Sequence, residues 1–217
     1  MRIGVLGSGD VARSLAAGFL KHGHEVLLGT REPNKLRDWL KANARSSAGS
    51  FADAAAFGDV LVLAVRGSVA ARALRLAGTS NLVGKTVIDA CNPISDQPPV
   101  NGVLRFFTSL DDSLMERLQK EFSVARFVKA FNSVGHAHMV EPKLPGGPPT
   151  MFICGNDAQA KKTVAVLVAQ LGWEAVDMGM VESARAIEPL CMLWCIPVLL
   201  KGGSPAPAAH AFKLLRS

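Results

Sequence analysis

The chain's 217 residues, 49% of them hydrophobic, fit one α/β domain with a large buried core. A formal charge of +6 does not make it a nucleic-acid binder, because the basic residues are scattered, Tyr is absent, and no aromatic-basic motif of an RNA-binding sheet is present. An anionic cofactor and an anionic substrate account for the charge equally well.

Arg2–Leu6 reads as a buried strand, and Gly7-Ser8-Gly9-Asp10-Val11-Ala12 as a Gly-x-Gly-x-x-Ala turn opening a helix over Val11–Lys21. In a dinucleotide site Gly7 permits the tight turn, Gly9 lets the backbone approach a pyrophosphate, and Ala12 keeps helix and strand close. Amides at the helix start then point at the phosphates. After Gly23, His24–Leu28 reads as a second strand, whose tip is Gly29-Thr30-Arg31 with Lys35 one turn further on. A carboxylate at that tip would hold a ribose 2′-hydroxyl. A hydroxyl, a guanidinium and an ammonium receive a 2′-phosphate instead. The alternative leaves Arg31 and Lys35 solvated and gives the ribose to Glu32, two positions late for that role. NADP(H) is the cofactor expected.

Pro33–Ala44 is predicted helical, Ser46–Gly49 a short strand, and Ser50 or Asp53 the cap of a small helix. Asp59–Val65 and Thr86–Ala90 are unbroken apolar runs, as central parallel strands should be. Leu110–Glu121 is amphipathic, Ala125–Ala130 is a strand, and Pro142–Pro149 a Pro/Gly-rich loop. Thr150–Cys154 follows as a strand, with Asn156 and Gln159 as a capping-box variant opening Asp157–Leu171. Trp173–Asp177 is the last strand, and Val181–Lys201 a long helix broken at Pro197, before a Gly202–Pro207 linker. The fold expected is a Rossmann-type, doubly wound, mostly parallel α/β sheet with a C-terminal helical segment. Residues 1–179 would form the NADP-binding domain and 180–217 a helical extension packed on it as one unit.

Met1-Arg2 runs directly into the first strand, so no signal peptide is expected. Pro189–Leu200 is too short to span a bilayer and reads as a buried or subunit-interface helix, so no membrane partner is expected. Cys91, Cys154, Cys191 and Cys195 lack zinc-site spacing and read as reduced core thiols of a cytoplasmic protein. Ligands of open α/β sheets bind beyond the carboxyl ends of the strands. That rule places Val65-Arg66, Asn92-Pro93 and Phe131-Asn132-Ser133 along one edge with the glycine turn. Asn92 and Asn132 either offer amides to a nicotinamide or second ligand, or serve Asx turns. His136 and His138 lack further ligands nearby, so no metal is expected, and His136 is the better candidate for touching a redox partner.

Gly7-Ser8-Gly9-Asp10-Val11, Gly29-Thr30-Arg31, Val128-Lys129-Ala130-Phe131-Asn132 and Cys154-Gly155-Asn156-Asp157 together resemble the NADPH-dependent coenzyme F-420 reductases, the F-420-dependent NADP oxidoreductase family. The same runs are similar to the cytoplasmic oxidoreductase domain of the six-transmembrane metalloreductases. The likeness extends from Arg2 to about Leu200. It implies that Ser8, Asp10 and Val11 line the pyrophosphate and that Thr30, Arg31 and Lys35 hold the 2′-phosphate. Val65, Asn92 and the Asn132–Gly135 stretch would flank the nicotinamide. It also implies about eight strands, a C-terminal helical part against the substrate face, and a homodimer. The small-molecule redox acceptor is expected to be a planar ring such as coenzyme F-420 or a flavin; no deazaflavin-binding signature is matched, so a flavin or another hydride acceptor fits the same platform. Direct hydride transfer to such a ring depends on proximity and orientation more than on an acid–base pair. No Tyr-x-x-x-Lys or His–Asp arrangement is present, and no catalytic side chain is nominated. The other readings are an NADPH-binding sensor without catalysis and a reductase of a small imine or keto acid.

Overall fold

The computed structural model describes residues 1–201 and 210–216. Strands β1 (Arg2–Leu6), β2 (Glu25–Gly29), β3 (Ser46–Gly49), β4 (Val60–Leu63), β5 (Thr86–Asp89) and β6 (Arg126–Lys129) form a parallel sheet in the order β3-β2-β1-β4-β5-β6. The order reverses between β1 and β4, which opens a crevice at the carboxyl ends of these strands. The register pairs Leu6 with both Gly29 and Leu63, Leu63 with Asp89, and Asp89 with Lys129. The loops that follow these strands therefore start at one level along one edge.

Both faces of the sheet are covered. Val60 and Val62 pack with Ile3 and Val5 beneath α1 (Asp10–Lys21) and α6 (Ala158–Gln170). Leu61 and Leu63 point to the other side, toward α3 (Phe51–Phe57), α4 (Ala70–Ala77) and α5 (Leu114–Glu121). Burial on two faces is why the central strands are continuous apolar runs rather than alternating ones. Strands β7 (Thr150–Ile153) and β8 (Glu174–Asp177) form their own parallel pair, joined to β6 by an antiparallel bridge between Lys129 and Cys154. The eight strands of the described residues thus divide six and two. Close approach at that bridge depends on Gly155, where a Cβ would lie 2.4 Å from the Phe127 carbonyl oxygen.

Local chemistry moves several helix boundaries. Pro33–Ala44 divides into a 3₁₀ turn, Pro33–Leu36, and α2 (Arg37–Ala42). Helix α5 starts at Leu114 rather than Leu110, because the buried Ser113 hydroxyl accepts a hydrogen bond from Glu116 N at 3.1 Å. The cap of α6 is Asp157, which accepts from Ala160 N at 2.7 Å. Asn156 instead accepts from Val181 N at 3.0 Å, so the expected Asn156–Gln159 cap is not formed. The Ser50–Asp53 capping box forms as expected. Helix α4 has no counterpart in the sequence pattern, since its buried stripe is Ala70, Ala73, Leu74 and Ala77, mostly too small to mark a face.

The C-terminal region is not one helix. A 3₁₀ turn at Val181–Ser183 leads into α7 (Ala184–Ile187) and then α8 (Pro189–Leu199). The break falls at Glu188–Pro189, because Pro189 lacks an N–H and suits a first helical turn. Pro197 lies inside α8, on an exposed side, instead of ending it. The predicted Gly202–Pro207 linker lies outside the described residues. His210–Arg216 returns to the body, where Phe212 O accepts from Thr150 N at 2.8 Å and Leu214 N donates to Thr150 Oγ1 at 3.0 Å. No helix of the described residues is long and apolar enough to cross a membrane.

Candidate functional site

The turn between β1 and α1 uses its two glycines for different reasons. Gly7 has φ +146°, and a Cβ there would lie 2.2 Å from the Ala64 carbonyl oxygen, so both backbone and space demand glycine. Gly9 has φ −76° and ψ −173°, which any residue adopts, and a Cβ there would meet nothing within 4 Å. The fold itself does not require glycine at position 9. The open cradle in front of the α1 amides is the shape a phosphate needs.

The tip of β2 stands beside this cradle. Ser8 Oγ donates to Thr30 Oγ1 at 3.1 Å, and Glu32 N donates to the same Thr30 oxygen at 3.2 Å. Arg31 is exposed at the rim. Lys35 Nζ lies 2.9 Å from the Glu32 carboxylate, so the ammonium expected to stand ready for a phosphate is held by an ion pair. That pair is solvent-screened and easily exchanged for a stronger anion.

These elements wall a cavity of roughly 1100 Å³. Gly7, Ser8, Gly9, Asp10, Val11, Thr30, Arg31, Lys35, Val65 and Asn92 all line it, and so does His136. Asn132 and Gly135 do not. Arg66, which the strand-end rule also places at this edge, lines it as well; so do Ser68, Arg72, Ser95 and Asp96, which the sequence pattern does not single out. Their one sequence signal is Arg66-Gly67 directly after the β4 run. At Gly67 a Cβ would sit 2.0 Å from the Asn92 carbonyl oxygen, so the loops after β4 and β5 interlock at a glycine. Among the described residues no cluster of three or more His, Cys, Asp and Glu could hold a metal.

Asn92 and Asn132 bond to each other. Asn92 Nδ2 donates to Asn132 O at 2.7 Å, and Asn132 Nδ2 donates to Asn92 Oδ1 at 3.2 Å and to Ile187 O at 2.9 Å. Asn132 is 3% exposed, and its Oδ1 has no hydrogen-bond partner among the described residues. The Asx-type bond at this edge belongs instead to Asp89, whose Oδ1 accepts from Cys91 N at 2.9 Å. The preceding residue, Phe131, is fully buried with φ +62°, a strained conformation for a bulky side chain. Gly135 packs under the indole of Trp194 on α8.

Beneath the asparagines lies a charge cluster absent from the sequence reading. Lys129 Nζ is fully buried, 2.6 Å from Asp89 Oδ2 and 2.8 Å from Glu188 Oε1, and it donates to Cys91 O at 3.0 Å. Burial works against the ammonium, but the attraction of Asp89 and Glu188 outweighs it and raises the Lys129 pKa. Burial pushes the neighbouring thiols the other way along the scale of charge. The Cys91 pKa rises well above the ordinary range and that of Cys154 to about 12, so both stay protonated.

Comparison with known proteins agrees with this geometry. The family described as NADP oxidoreductase, coenzyme F420-dependent, matches residues 2–93. Metalloreductase STEAP3 of Rattus norvegicus is 31% identical over 206 residues, covering 93% of this chain and 39% of that protein. The chain thus spans about two fifths of the length of that curated relative. The F420-dependent NADP reductase of Methanocaldococcus jannaschii is 29% identical over 209 residues, 89% of this chain and 90% of that one. The crystal structure of a proposed F420-dependent NADP reductase from Arthrobacter sp. FB24 superposes with a TM-score of 0.89 at 35% identity, over 99% of both chains. Streptomyces aurantiacus imine reductase shares the fold alone, with a TM-score of 0.70 and 13% identity over 93% of this chain and 64% of that one. With this end-to-end likeness in sequence and fold, the chain belongs to the coenzyme F420-dependent NADP oxidoreductase family, a family of NADP-dependent oxidoreductases.

Proposed function

We propose that the protein transfers hydride between NADP(H) and a planar ring, coenzyme F420 or a flavin, stacked in the same cavity. The observation that carries this reading is the open cradle at Gly9 facing Thr30, Arg31 and Lys35 across one crevice. The α1 amides with Ser8, Asp10 and Val11 would hold the pyrophosphate. Thr30 and Arg31 would take the 2′-phosphate, and Lys35 would join them by leaving Glu32. Val65 and Asn92 would bound the nicotinamide, with Asn132 behind Asn92 and Gly135 set back under Trp194. When bound, NADPH supplies the hydride; the side chains orient the two rings and exclude water. A cavity of roughly 1100 Å³ is large for a small-molecule site, ~300–1000 Å³, which suits two ligands.

The described residues of the 180–217 segment act in this reading as an extension packed on residues 1–179, tied there by the Asn132–Ile187 bond. A homodimer is proposed through α8, where Leu193 is exposed, as is Leu200 just past the helix end. The free cysteines favour a reducing, cytoplasmic setting. The test is NADPH oxidation with a deazaflavin, with flavins and with ferric chelates. Turnover with a ring acceptor supports the proposal. Binding of NADPH with no turnover on any acceptor favours a sensor, and turnover on cyclic imines alone favours an imine reductase.

A further inference from the structure

The cluster formed by Lys129, Asp89 and Glu188 is fully buried and outside the nucleotide cavity, yet every group in it leads to the edge where the rings would meet. Asp89 ends β5 and Lys129 ends β6, and the two pair across the sheet. Three residues beyond each stands one of the two mutually bonded asparagines, Asn92 and Asn132. Glu188 comes from the far side, at the α7–α8 junction, and its carboxylate also accepts from Leu114 N at 2.9 Å and Met115 N at 3.0 Å. Those two amides open α5, so Glu188 joins a helix start, a sheet edge and the C-terminal helices in one carboxylate. Its neighbour Ile187 supplies the carbonyl oxygen that receives Asn132 Nδ2.

All three protons of the ammonium are used, on Asp89, Glu188 and the Cys91 carbonyl oxygen. The remaining titratable groups around it are the Cys91, Cys154 and Cys191 thiols, which stay neutral. A buried charge cluster is weak evidence for stability in itself, since apolar replacement of all its members often serves as well, whereas removal of one member leaves a buried charge unpaired. What the cluster does is join β5, β6, α5 and the α7–α8 junction through one ammonium and two carboxylates. The strained Phe131 backbone between Lys129 and Asn132 is a second sign that this stretch is held in one position.

We propose that Lys129 is a positioning residue for the nicotinamide end of the site. By tying Asp89 to Glu188 it locks the Asn92–Asn132 pair against the C-terminal helices, so that hydride donor and acceptor meet in one orientation. This rests on the NADP(H) reading above. It separates two halves of one site: the 2′-phosphate and pyrophosphate contacts at the β1–β2 edge do not touch the cluster, and the nicotinamide end depends on it.

The test compares wild type, Lys129→Met and Glu188→Gln for NADPH affinity, emission of the bound reduced nicotinamide, kcat with a ring acceptor, and thermal unfolding. The milder Glu188→Gln keeps the ammonium and the side-chain size, and so serves if Lys129→Met does not fold. The expected result is NADPH affinity within about threefold of wild type, bound-nicotinamide emission reverting toward that of free NADPH, and kcat lowered at least tenfold. Unchanged emission and kcat in either folded variant overturns the proposal and leaves the NADP(H) reading standing. Affinity and kcat falling in parallel also overturns it, because the role is then structural for the whole site. A wild type that binds no NADPH overturns both.

Discussion

Gly135 lies against the indole ring of Trp194, so close that a Cβ on it would come 2.6 Å from Trp194 Cη2. Its φ of −71° is open to any residue, so the requirement for glycine is one of space. The ring cannot easily yield: its Nε1 donates to His210 O at 2.9 Å, and it stacks on the His210 imidazole at 4.8 Å. Gly135→Ala is expected to destabilise the protein by about 1–3 kcal/mol through overpacking. Thermal unfolding followed by Trp fluorescence checks this, and a neutral substitution would show that α8 slides freely over the 135 loop.

Arg31→Ala should separate the two nicotinamide cofactors. A charge-assisted hydrogen bond to phosphate contributes about 1.5–3 kcal/mol, so NADPH affinity should fall about tenfold or more while NADH affinity stays near wild type. Calorimetry with both cofactors reads the difference directly. Equal losses would mean that Arg31 only stacks on adenine.

Gly9→Val should leave folding intact and abolish nucleotide binding. Backbone and neighbours accept a side chain at this position, so the melting temperature should barely move. The valine then occupies the space proposed for the pyrophosphate. Retained NADPH affinity would place the phosphates elsewhere.

The buried Cys154 thiol gives the fold an alkaline limit. Burial raises its pKa from the ordinary 9.0 to about 12. The folded state thus holds a proton that the unfolded chain releases more readily. Its contribution is complete below pH 9 and is lost as pH rises from 9 toward 12. Cys154→Ala, measured by thermal unfolding across that range, should show a shallower decline than wild type.

What could be read from the residues alone was what is local in the chain. The glycine turn, the Thr30-Arg31-Lys35 tip and the strand ends lie within short windows, and the parallel register then brings them together. The Glu32–Lys35 pair escaped because a sequence shows which charges are near, not which are already matched. Asn132 and Gly135 were expected beside the nicotinamide, but their surroundings come from Ile187 and Trp194 far along the chain. The same distance hid the partners of Lys129, the buried charge of its strand, whose meaning appears only once Asp89 and Glu188 converge on it. The division of the C-terminal region at Pro189 rather than Pro197 turned on which proline falls in a first helical turn.

The bonds from Phe212 and Leu214 to Thr150 bear on how the protein behaves in handling. Thr150 opens β7 and is 2% exposed, and its N–H would otherwise be a free donor at the margin of a short strand pair. A chain cut after Lys201 would bare that donor together with the apolar flank of α8 that His210 shields. Unprotected strand margins recruit other chains, so the shortened form is expected to aggregate on concentration even where its nucleotide cavity is whole. Residues 210–216 are thus expected to serve as a cover over the margin of β7 and over the Trp194 side of α8.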